Sequence, residues 1–131
     1  MRSTLKTVSI AAAAAIALLA GGAAQAGDCK KVKFQFTNNM GTKIKVKSVE
    51  IKGNDGTWTE DIANKEILTG NKYTTDGRTM NKLDSGKAPD YQTVKYDQWD
   101  AANGRWLNNK TKKFTNRKVC NDGHTYIFNM Q

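Results

Sequence analysis

A strict alternation of lysine with apolar residues constrains this chain more than any other feature. In "KVKFQF", Val32, Phe34 and Phe36 fall on one side of an extended strand, with Lys31, Lys33 and Gln35 on the other. In "KIKVK", Ile44 and Val46 oppose Lys43, Lys45 and Lys47. A helix would scatter both sets around its circumference, so each segment reads as a strand with one buried face. The "TNNMGT" between them carries turn chemistry, which makes an antiparallel hairpin the expected arrangement. Val49 and Ile51 have the opposite parity to Ile44 and Val46. Keeping all four inside requires a bulge, or a change of covered face, near Lys47 and Ser48.

Further along, turn markers recur at Asp55-Gly56, Gly70-Asn71, Asp76-Gly77, Asn103-Gly104 and Asp122-Gly123. Between them lie short β-prone runs such as "YQTVKYDQW", "RWL", "KKFT" and "HTYIFNM". Short strands separated by Asx-Gly turns predict an all-β fold, an antiparallel β-sandwich with a small β-barrel as the alternative. Little helix is expected. Residues 59–68 have helical spacing for one or two turns, and 79–90, with the only proline after the leader segment, read as a long loop.

The first 26 residues have a different character. Arg2 and Lys6 precede an uncharged apolar run from Ile10 to Ala20, and Ala24-Gln25-Ala26 has the small-x-small pattern of a cleavage site. That order predicts a secretory signal peptide, and the apolar run is too short to span a bilayer. Residues 27–131 are then expected to form a single β-sandwich domain, periplasmic or secreted, with no integral membrane segment. Without Arg2 and Lys6, 19 basic residues face 12 acidic ones, a net charge of +7. Cys29 and Cys120, near the two ends of this part, are expected to pair in an oxidising compartment. In the chain-entropy view, closing a loop of about 90 residues stabilises by roughly 4 to 5 kcal/mol.

Catalytic chemistry is poorly supplied. His124 is the one histidine, and a general-base role beside Asp122 would need a nucleophile motif that is not there. Glu60 and Asp61 would point to opposite faces of a strand. Asp97 and Asp100 read as solvated acids around Trp99. Calcium-loop spacing, zinc-ligand spacing and phosphate-binding glycine loops are missing from the pattern. No cofactor or metal is expected, and a binding role is favoured over an enzymatic one.

Two acid-free stretches carry most of the charge. Residues 29–49 hold Lys30, Lys31, Lys33, Lys43, Lys45 and Lys47; residues 101–121 hold Arg105, Lys110, Lys112, Lys113, Arg117 and Lys118. The expected hairpin would set Lys31, Lys33, Lys43, Lys45 and Lys47 on one face, and the disulfide would bring Arg117 and Lys118 beside it. Such a face suits an anionic surface or polymer: envelope lipid, polysaccharide or nucleic acid. Lysines on exposed strands also keep sheets from aggregating, and that purpose would explain part of the set. The alternative function is a protein-interaction module, such as an inhibitor or effector, working through loops and edge strands. Trp99 and Trp106 have two readings. Parity would stand them together near one hairpin end as an aromatic platform, whereas the bulk of three tryptophans in so small a domain argues for placing them in the core. Mass spectrometry of the exported chain should find Gly27 at the N-terminus and both thiols oxidised within one chain; free thiols or a disulfide-linked dimer would contradict this.

Overall fold

Eight strands make up the computed structural model, which describes residues 27–131. The leader segment expected over residues 1–26, with its cleavage site, lies outside the described residues. The strands are β1 (Asp28–Asn38), β2 (Ile44–Gly53), β3 (Gly56–Ile67), β4 (Lys72–Thr74), β5 (Arg78–Asp84), β6 (Tyr91–Asp100), β7 (Arg105–Phe114) and β8 (Thr125–Met130). No helix occurs among the described residues. They form two sheets. Sheet I has β1 at its centre, with β8 on one side and β4 and β5 in succession along the other; sheet II has the order β3-β2-β6-β7. Every pairing is antiparallel except β1 with β8, which is parallel.

The apolar alternation selects this packing. Val32, Phe34 and Phe36 from β1 meet Ile44, Val46, Val49, Ile51 and Val94 from sheet II, with Met80, Leu83, Tyr126 and Phe128, in one buried cluster. Burial of such side chains is the main favourable term in the fold. Aromatic contacts run through it: Phe36 and Phe128 stack at 5.4 Å, and Phe114 meets Phe128 edge-on at 5.1 Å, which places β7 over β8. Among the described residues, no helix is long and apolar enough to cross a membrane. Cys29 and Cys120 are joined and fully buried, with their Cα atoms 6.3 Å apart.

β1 and β2 do not form the expected hairpin. They share the core from opposite sheets, so the Asn39–Lys43 link crosses between layers instead of turning back within one. Asn38 holds this crossing. Fully buried, it donates from Nδ2 to the carbonyls of Thr42 (3.0 Å) and Ile67 (2.8 Å), and its Oδ1 accepts from Met40 N–H (2.9 Å). Its backbone bonds Asn71 and Gly70 as well. One amide thus satisfies three main-chain groups at the point where the chain changes sheet.

Other local expectations also change. Residues 59–68, which have helical spacing, belong mostly to β3: pairing with β2 satisfies their backbone groups, and the excess length is taken up at Ala63 and Asn64, both at positive φ (59° and 54°). Residues 78–84 are strand rather than loop. Met80 and Leu83 are three apart yet both buried, because the β1–β5 register shifts twice. The expected bulge on β2 is present: the register shifts between Val46 and Ser48 against both β3 and β6. Replacing Asn38 with Leu should destabilise the fold by about 3 kcal/mol, since one buried and two part-buried main-chain groups lose their partner. Urea unfolding would measure it, and a loss below about 1 kcal/mol would deny Asn38 this role.

Candidate functional site

Because the core lies between the sheets, the outward side chains of β1 and β2 point away from each other. Lys33 therefore stands on the outer face of sheet I, and Lys43 and Lys45 on the outer face of sheet II. The five lysines expected on one hairpin face are divided between the two sides of the sandwich. Lys31, at positive φ (57°), is near the disulfide end of β1, where Lys30 N–H donates to Asp122 Oδ1 at 2.9 Å. The disulfide ties the 115–121 segment to this end, so Arg117 and Lys118 belong with Lys30 and Lys31 rather than with Lys43 to Lys47. Arg117 Nε donates to the Asp90 carbonyl at 3.3 Å, and the Lys118 carbonyl accepts from Tyr126 OH at 2.9 Å.

The tryptophans are outside the core. Trp99 and Trp106 are register partners on β6 and β7, with ring centroids 5.3 Å apart and planes at 65°. Both are partly buried, and neither joins the core cluster. Lys43 Nζ lies 4.8 Å from the Trp99 ring centroid and 5.4 Å from that of Trp106, and Lys45 Nζ lies 4.2 Å from Trp106. Each such contact contributes roughly 0.5 to 1 kcal/mol at an exposed site. Lys43 also reaches Glu66 at 3.8 Å. The aromatic pair and the β2 lysines, read separately from the sequence, therefore form one patch.

Asp97 underlies it. Far from a solvated loop acid, it is 7% exposed. Its Oδ1 accepts from Asn109 N–H at 2.8 Å and faces Lys47 Nζ at 3.7 Å, and Lys47 Nζ also donates to Asn109 Oδ1 at 3.1 Å. Asn109 has φ 58°, and the β6–β7 register shifts between Tyr96 and Gln98. This β7 bulge reverses parity, so Trp106 faces outward while Lys110, Lys112 and Phe114, opposite the buried Tyr96, Val94 and Gln92, lie on the core side.

The same outer face continues beyond the bulges. A shallow depression of about 280 Å³ is lined by Ser48, Glu50, Thr59, Thr93, Lys95 and Thr111. At its far end Lys113 Nζ stands 4.6 Å from the Tyr91 ring centroid. From Trp99 to Tyr91 the strip measures about 25 Å at the usual rise per strand residue. Sequence reasoning missed Tyr91, Lys95 and the threonines, and counted Lys113 only as one charge of the second basic stretch. Their outward parity was readable, but their meeting on one face depended on strand order.

The other titratable candidates have structural partners. Glu60 Oε2 is paired with Arg78 from the opposite sheet at 3.2 Å, and Asp61 Oδ1 accepts from Ala63 N–H at 2.8 Å. Asp100 is held below the usual carboxylate range by hydrogen bonds from Asn103 and by Arg105. Among the described residues no group of three His, Cys, Asp or Glu could hold a metal ion. Comparison of the chain with protein-family models, curated proteins and solved structures finds no match.

His124 packs edge-on against Tyr126 at 4.5 Å, with Nε2 buried and unpartnered. Burial, and then the charge of Lys118, hold its pKa below the ordinary value. The folded state therefore resists protonation that the unfolded chain accepts near pH 6.5. Stability should fall as pH drops through that value and level off below the folded pKa. Unfolding midpoints between pH 7.5 and 5 would show the slope, and His124→Gln should flatten it; an unchanged slope in the variant would exclude His124 as its source.

Proposed function

We propose that the chain is a periplasmic or secreted binding module, non-enzymatic, whose sheet II outer face takes a linear anionic polymer. The observation that carries this reading is the Trp99–Trp106 pair seated outside the core with Lys43 and Lys45 against its rings. Aromatic rings left half in water at the rim of a sheet, beside cations, suit a ligand that has both flat apolar faces and negative charge. Acidic polysaccharide fits best. The hydroxyl-lined floor of Ser48, Thr59, Thr93 and Thr111 offers donors and acceptors to sugar hydroxyls, and Tyr91 with Lys113 repeats the aromatic–cation pairing at the far end. A strip with matched ends and a shallow middle suits several units of a chain rather than one small molecule.

Lys113, from the second acid-free stretch, stands on this face, while Lys110 and Lys112 leave the core side of β7 at its edge and Arg117 and Lys118 lie toward the disulfide end. Arg105, Lys110, Lys112 and Lys113 belong to β7, the edge of sheet II, and Arg117 and Lys118 follow it. Among these six, Arg105 has a carboxylate within 4 Å, Asp100 at 3.8 Å, and no Asp or Glu pairs with the other five among the described residues. Unneutralised cations along one edge raise the local concentration of an anionic chain and speed its arrival.

Binding to an immobilised uronate polysaccharide should weaken roughly tenfold or more between 50 and 200 mM salt for three or four ionic contacts. The Lys43→Gln, Lys45→Gln, Lys113→Gln triple variant should lose most of that affinity and salt dependence. Trp106→Ala should lose affinity while costing less than the ~3 to 5 kcal/mol of a core tryptophan. Equal binding by the parent and the triple variant would refute the assignment of this face.

A further inference from the structure

The free edge of β8 offers a second, independent site. Lys33 N–H donates to the His124 carbonyl at 2.9 Å, and Asn39 N–H donates to the Met130 carbonyl at 2.8 Å. These two bonds fix the phase of the parallel β1–β8 ladder. In a parallel pair, both main-chain groups of every second residue go to the same neighbour. The even residues Tyr126 and Phe128 therefore bond β1, and Thr125, Ile127 and Asn129 turn their N–H and C=O groups away from it. Among the described residues, β8 pairs with no other strand.

The remaining edges are guarded. β7 has Lys110 and Lys112 on its core side, β3 has a bulge with two residues at positive φ, and the far edge of sheet I is broken into β4 and β5. Inward lysines, bulges and short edge strands all discourage the addition of a further strand. β8 has none of these: "TYIFNMQ" contains no charge, no proline and no bulge, and Ile127 is 55% exposed on its outer side.

Charge surrounds this edge at both ends. Lys33 is the register partner of Thr125. The Lys118 main chain is held by the Tyr126 hydroxyl and its charge is felt at His124, just before the strand, and Lys112 Nζ reaches the Gln131 carbonyl at 3.1 Å beyond the second half. Among the described residues, no Asp or Glu carboxylate pairs with any of the three.

We infer that β8 is a docking edge for an extended peptide segment of a partner protein, apolar or hydroxylic at its centre and acidic at both ends, which adds to sheet I as a strand. Main-chain hydrogen bonds to Thr125, Ile127 and Asn129 supply affinity, and the flanking lysines select acidic ends. A cationic copy of this same chain is a poor occupant, because a β8–β8 pair would bring two β7 lysine edges together.

The test uses a blocked nine-residue peptide of alternating valine and threonine with an aspartate at each end, and a control with lysines in place of the aspartates. The aspartate peptide should slow hydrogen exchange at the Thr125, Ile127 and Asn129 amides by about tenfold or more at saturation. The lysine control should leave them unchanged. Ile127→Pro removes an outward donor at an edge position that tolerates proline; it should abolish binding while keeping the parent circular dichroism spectrum. To separate loss of binding from loss of fold, the parent protein is also tested with peptides N-methylated at odd or at even positions. One series alone should bind, since one set of amides faces β8. Equal binding by both series, no protection of the three amides, or protection that rises with protein concentration without peptide would overturn the proposal. The Lys43→Gln, Lys45→Gln, Lys113→Gln variant should bind the peptide as the parent does, so failure of the polymer site and failure of the β8 site are read separately.

Discussion

The shared core of β1 and β2 is the constraint on which the rest of this structure depends. Val32, Phe34 and Phe36 must face Ile44 and Val46, and face-to-face burial is available only if the two strands lie in opposite sheets. Pairing them side by side would leave the same apolar row in need of a second layer. The chain therefore spends residues 39–43 on crossing the sandwich, and Asn38 supplies the hydrogen bonds that such a crossing would otherwise leave unmet. The disulfide closes the other end of the fold, linking the start of β1 to the segment that leads into β8. Between these two fixings β1 bonds strands on both sides, including β8 in the one parallel pairing.

Parity was legible from the sequence; partnership was not. The alternation identified the inward residues of β1 and β2, and the conflict between Val46 and Val49 located the β2 bulge where the register shifts. Two cysteines in a chain with a predicted leader left one intramolecular pairing. Which strands would be neighbours is a different kind of information. "TNNMGT" has the composition of a hairpin turn and serves as a crossing, because turn residues permit a change of direction without specifying the plane in which it occurs. β5 was hidden for a related reason. Met80 and Leu83 have neither strand nor convincing helix spacing until an irregular register allows both inward. The candidate site suffered most, since a face made from four strands can be read only after their order is known.

The bulk argument for tryptophan failed for a physical reason. The core is filled by Phe34, Phe36 and Phe128, aliphatic residues, Tyr96 and Tyr126, with Trp58 and Phe114 packed at its margin. No volume was left that required Trp99 or Trp106. Once outside, their apolar faces still needed cover, and the stems and ammonium groups of Lys43 and Lys45 provide it. The same lysines are thereby held in place. A lysine in water samples many rotamers and loses that freedom when a ligand orders it; one already resting on an indole loses less. Part of the dense like charge that the sequence displays is in this way converted into an ordered surface.

That surface exists because bulges on neighbouring strands are tied to one another. On β7 the extra residue at Asn108–Asn109 lets Trp106 face outward while Phe114 faces the core; a regular strand would have put both on the same side. On β2 the extra residue lets Lys43 and Lys45 share the outer face with Ser48 and Glu50 while Ile44, Val46, Val49 and Ile51 all stay buried. Asp97, on the strand between them, accepts from the bulged Asn109 amide and draws in Lys47 from the β2 bulge, and Lys47 closes the triangle on Asn109 Oδ1. Because Asp97 is mostly buried, its charge costs desolvation that only these partners offset. Its position is explained by the geometry it maintains: the carboxylate holds the amide of the left-handed Asn109 at the point where the β7 register shifts. A single buried acid thus connects the packing of the core to the arrangement of the aromatic–cation patch on the opposite side of the same sheet.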